Sequence, residues 1–82
     1  MQEKNILQIT RYDGTSVTVY RVRAEDAIEE VISSPFFRVH DDRTGRDSYP
    51  SDYDEAIEHA EELTDGEEVD RYEVPYGEID DE

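Results

Sequence analysis

The residues best able to do chemistry in this chain are its carboxylates, and twice they gather around one of its two histidines. His40-Asp41-Asp42 has the residue types of a metal-dependent hydrolase. Such a centre needs further ligands converging in space, and only one other histidine exists to supply them. If the segment is a strand, His40 and Asp41 also point to opposite sides of it, because side chains alternate along an extended backbone. A strand end at the surface is the better reading. Glu55, His59 and Glu62 stand at i, i+4 and i+7, on one face of a helix, where they could share a divalent ion. Three ligands from a single exposed helix make a weak site, so the trio reads as a histidine set among solvated carboxylates. Asp42, Thr44 and Asp47 around Gly45 form a fragment of a calcium-loop pattern. Neither the glycine nor a twelfth-position glutamate falls where an EF-hand requires it, so a hairpin turn is expected there. There is no glycine-rich phosphate loop, no nucleophile elbow and no Cys–His or Ser–His arrangement. The chain is therefore expected not to be an enzyme, and to need no metal or cofactor.

What remains is carboxylate in quantity, and one element organises it. Ser51 to Gly66 opens with Ser51 and Asp54 at the spacing of a capping box. Tyr53, Ala56, Ile57, Ala60 and Leu63 then recur at helical spacing as one apolar stripe. Gly66 stands where a left-handed C-terminal residue belongs. The opposite face carries Asp52, Asp54, Glu55, Glu58, Glu61 and Glu62, extended by Asp65, Glu67, Glu68 and the acidic tail. One side of this helix must dock on the fold, and the other is a wall of negative charge. These nine residues are the candidate partner-binding surface.

The other elements must present that helix. Asn5 to Tyr12 and Ser16 to Val22 read as two strands around Asp13-Gly14. A two-residue loop would put Val17 and Val19 on the wrong side of the sheet from Leu7 and Ile9. A three-residue loop, Tyr12-Asp13-Gly14, pairs Ile9 with Val17 and Leu7 with Val19, with glycine in the left-handed position and a bulge. Ile6, Tyr20 and Val22 then fall on the second face. Ala24 to Ser33 reads as a helix with Ala27, Ile28, Val31 and Ile32 inward, ended by Ser34-Pro35. Phe36 to Asp41 is a third strand with Phe37 and Val39 inward, Arg46 to Tyr49 a short return strand, and Val69 to Val74 the last. Among the six tyrosines, Tyr53 and Tyr72 are expected to supplement the core, while Tyr49 and Tyr76 are expected at an interface. The expected fold is a small single α+β domain over residues 1–75: a mostly antiparallel sheet with two helices on one face, in the order ββαββαβ. Residues 76–82 are expected to be a frayed acidic tail.

Composition narrows the function. The chain has 82 residues, 34% hydrophobic and 39% charged, with a formal net charge of −16. It has no cysteine, so no disulfide or thiolate metal site helps a core of this size. No apolar run reaches the length of a membrane span, and the first residues do not lead into a signal-peptide core, so a soluble, cytoplasmic protein is expected. Direct binding of nucleic acid or of an anionic membrane is disfavoured, because both need clustered Lys and Arg. The charge is also lopsided. Residues 1–51 hold nine acids and seven bases, a net of −2, whereas residues 52–82 hold fifteen acids and only Arg71, a net of −14.

In size and composition the chain resembles DNA-mimic proteins, which include phage inhibitors of restriction and CRISPR systems. The resemblance is one of overall character and assigns no residue a role. It implies an inhibitor or regulator that occupies the basic groove of a nucleic-acid-binding protein. The alternative is salt adaptation, in which scarce lysine and abundant acid keep a halophile's protein solvated. That alternative acidifies all exposed surface, while a mimic concentrates charge on one side, and the split of −2 against −14 favours the mimic. A third reading lets the arginines of the first half meet the acids of the second in a head-to-tail assembly.

Overall fold

The computed structural model describes residues 2–23 and 36–78 of the chain. Five strands, β1 (Gln2–Arg11), β2 (Ser16–Arg23), β3 (Phe36–Asp41), β4 (Arg46–Ser48) and β5 (Glu68–Glu73), form one sheet in the order β4-β3-β2-β1-β5, every neighbouring pair antiparallel. One helix, α1 (Tyr53–Leu63), packs on one face, and a 3-10 turn follows at Tyr76–Glu78. The expected order ββαββαβ with two helices is therefore corrected: the described residues hold a single α-helix, between β4 and β5. The helix expected over 24–33 lies outside the described residues. Ala56 and Ala60 set α1 close over the core and are fully buried there. It is not long and apolar enough to cross a membrane.

The β1–β2 hairpin has the register expected from alternation, with Leu7 opposite Val19 and Ile9 opposite Val17. Its loop is Tyr12-Asp13-Gly14. Gly14 N–H donates to the Arg11 carbonyl at 2.9 Å, Arg11 N–H donates to the Thr15 carbonyl at 2.8 Å, and Gly14 takes φ +92°. A side chain there would be strained by that φ, so glycine closes the turn. Asp13 locks the loop by accepting from Thr15 N–H at 2.9 Å and from its hydroxyl at 2.6 Å.

Ile6 is corrected. The β1–β2 register shifts between Asn5 and Leu7, so Ile6 is the extra residue of a bulge. Instead of lying on the second face it is buried in the same cluster as Leu7, Ile9, Val17, Val19, Phe37 and Val39. Tyr53, Ile57 and Leu63 pack against that cluster from α1, with the Tyr53 ring edge-on to Phe37 at 6.1 Å between centroids. Tyr72 is corrected as well: on the edge strand β5 it is 56% exposed and pairs with Gln8 rather than filling the core.

Candidate functional site

α1 begins one residue later than the capping pattern suggests. Asp52 is the N-cap, its backbone extended and its side chain making no cap hydrogen bond, while its carbonyl accepts from Ala56 N–H at 3.0 Å. The Ser51–Asp54 capping box does not form. Asp54 and Glu55 in the first turn complement the positive end of the helix dipole. No base lies in the last turn, so the negative end is satisfied from elsewhere in the fold. The Arg11 guanidinium comes from β1 and donates to the Leu63 carbonyl at 3.1 Å, and the Thr64 hydroxyl donates to the Ala60 carbonyl at 3.0 Å.

Arg11 is the centre of the buried polar structure. It forks onto Asp41 at the end of β3, Nη1 to Oδ1 at 3.1 Å and Nη2 to Oδ2 at 3.0 Å, and also donates to the Thr15 hydroxyl at 3.0 Å. Their side chains are 0% and 7% exposed. Burial works against the charged form of Asp41, but the Arg11 fork and the Arg43 amide outweigh it and hold the carboxyl below the ordinary carboxylate range. His40, next in the chain, turns to the other face as alternation requires. Asp41 is thus a structural anchor beneath α1, which the strand-end reading missed. A signal was available: Arg11 shares inward parity with Leu7 and Ile9, as Asp41 does with Phe37 and Val39.

On the opposite face Arg38 lies 4.4 Å from the Tyr20 ring centroid and binds Glu3 at 2.7 and 3.0 Å. Asp47 receives Arg38 at 2.9 Å and His40 Nδ1 at 2.8 Å, and its carboxyl is lowered first by His40 and then by Arg38. Arg43 reaches Asp13 at 3.1 Å and Glu67 at 3.0 Å. The arginines that a head-to-tail assembly would use are largely engaged inside one chain.

The nine candidate surface residues divide. Glu61 and Glu68 are held by Arg71 at 3.2 and 2.9 Å, and Glu67 by Arg43. The Arg71 hydrogen bonds pull the Glu68 carboxyl down. Asp52, Asp54, Glu55, Glu58, Glu62 and Asp65 are exposed and have no ion pair among the described residues. Of these, Glu55, Glu58 and Glu62 line an open cleft of about 490 Å³ with Ser48, Tyr49, Pro50 and His59. Glu58, Glu61, Glu62 and Asp65 border a smaller one of about 300 Å³. Glu55, His59 and Glu62 do share a face, but among the described residues no group of three or more His, Cys, Asp or Glu is placed to hold a metal ion. Comparison with protein-family models, with curated proteins and with solved structures finds no match for the chain.

Proposed function

We propose that the outer face of α1 is a charge surface that blocks a basic, nucleic-acid-binding groove on another protein, in the cytoplasm, without catalysis. The observation that carries this reading is the run Asp54, Glu55, Glu58, Glu62 and Asp65, exposed and without a counter-ion among the described residues. The helix that carries the first four, with Asp65 in the turn after it, is held to the sheet by Ala56 and Ala60, so these carboxylates are presented on a supported element rather than a free tail. A concentrated field of one sign steers a basic partner and competes with phosphate for it. Salt adaptation alone would leave acid unpaired on every exposed surface. Here Glu3, Asp13 and Asp47 of the sheet half each sit against an arginine.

The test immobilises the chain, captures proteins from a lysate of its source cells, and elutes with duplex DNA. The expected outcome is release of a nucleic-acid-binding protein by DNA, and no capture by the variant carrying Asp54→Asn, Glu55→Gln, Glu58→Gln and Glu62→Gln. Equal capture by that variant, or a partner that DNA leaves bound, overturns the reading.

A further inference from the structure

We propose that the trough between α1 and the β4 edge of the sheet receives an extended segment of a protein partner, bearing an arginine and, two residues along, an apolar side chain. This rests on the charge-blocking reading and specifies what the surface grips.

β4 ends the sheet order, with β3 on one side and no strand beyond it among the described residues. Two clefts, of about 490 and 560 Å³, adjoin between β4 and α1, and both are lined by Ser48 and His59. They differ in chemistry. The first is rimmed by Glu55, Glu58 and Glu62, which have no counter-ion among the described residues. The second has Val39 and Leu63 as its apolar lining, with Asp41, Thr44, Arg46 and Asp47 at its sheet side. Ser48 Oγ, near the join, is buried and has no hydrogen-bond partner among the described residues.

One spacing along α1 matches such a motif. Five residues separate Glu58 from Leu63, about 7.5 Å along the helix axis. An extended chain advances about 6.8 Å in two residues. A guanidinium suits the carboxylate end better than an ammonium, because its planar fork binds two oxygens and it is more weakly hydrated. The sheet edge offers a main-chain handle too. Phe37 N–H donates to the Pro50 carbonyl at 3.0 Å, which makes Val39–Ser48 and Asp41–Arg46 the hydrogen-bonded pairs of the β3–β4 ladder. Asp47, between them, turns its N–H and C=O outward, as strand addition requires. A second copy of the chain is a poor occupant, since its own excess charge is negative. Nucleic acid is repelled by the rim.

The test is an NMR titration of the full chain with the blocked peptide Gly-Ser-Arg-Ser-Leu-Ser-Gly, and with versions carrying Ser for Leu or Lys for Arg. The expected result is amide shifts at Ser48, His59 and Leu63. Affinity should fall at least fivefold when Leu becomes Ser, and similarly in His59→Trp, which fills the join. Glu58→Gln with Glu62→Gln, both exposed, should weaken binding without altering the cleft's shape. Equal binding of the Ser-for-Leu peptide, or shifts that spare both Ser48 and Leu63, overturns the trough while leaving the charge-blocking reading intact. Absence of binding by every peptide also overturns it, and DNA displacement still decides the broader reading on its own.

Discussion

In the first half of the molecule, over the described residues between 2 and 50, four of the five carboxylates, Glu3, Asp13, Asp41 and Asp47, sit against an arginine, and Asp42 has no such partner there. On the outer face of α1, Asp54, Glu55, Glu58 and Glu62 have no such partner among the described residues. Both regions carry acidic side chains on ordered backbone, yet their charge acts differently. In the first half it closes a turn and ties β3 to β1 through Arg11, whose guanidinium also caps α1. On α1, beyond the complement that Asp54 and Glu55 give to the helix dipole, it repels its own neighbours. Net charge therefore says little until each acid is placed beside its base.

The largest effect should come from breaking the buried end of that comparison. Arg11→Ala leaves Asp41 without a counter-charge and the Leu63 carbonyl without its donor. Removing one partner of a buried pair costs about 3–5 kcal/mol, a large part of a typical domain's ~5–15 kcal/mol. Urea unfolding should show a sharply lowered midpoint. The double replacement Arg11→Met with Asp41→Leu should cost much less, because no charge then stays buried. A loss under about 1 kcal/mol for Arg11→Ala would place this pair with ordinary surface ion pairs.

Acid should dismantle the paired region next. The carboxyls of Glu3, Asp13, Asp41 and Asp47 are all depressed in the folded chain, Asp13 to about 2, led by its bonds from Thr15. A depressed folded pKa gives stability that is complete above the unfolded value, 3.8 for aspartate and 4.5 for glutamate, and lost as pH falls through the folded one. Thermal melting should therefore hold steady above about pH 5 and fall between about 4.5 and 2. Asp13→Asn should flatten the lowest part of that decline.

The smallest effect belongs to the unpaired face. Like charges at i,i+3 and i,i+4 destabilise a helix by about 0.2–0.5 kcal/mol each. Glu58→Gln and Glu62→Gln together should then raise stability by about 1 kcal/mol in dilute buffer. The gain should vanish near 1 M KCl, where the screening length is about 3 Å. Circular dichroism against KCl reads both arms. A parent chain that folds only in molar salt would assign the acid to salt adaptation instead.

Much of this was present in local sequence. Alternation around Gly14 determined the β1–β2 register, since a shift of one residue would have turned Leu7, Ile9, Val17 and Val19 to the wrong face. The 3.6-residue period separated the Ala56–Ala60 stripe from the carboxylates of α1, and β3 runs over the stretch its pattern marks. These features depend on neighbours a few residues apart. Tertiary structure alone decided which acids keep their charge unopposed. Arg11 meets Asp41 across 30 residues of chain, Arg38 meets Glu3 across 35, and Arg43 meets Glu67 across 24. It also decided that a bulge turns Ile6 inward, that β5 lies exposed at one edge, and that the other edge faces a trough along α1. Periodicity fixes which way a side chain points along its own element. What it points at depends on the order of the strands, and no local pattern carries that.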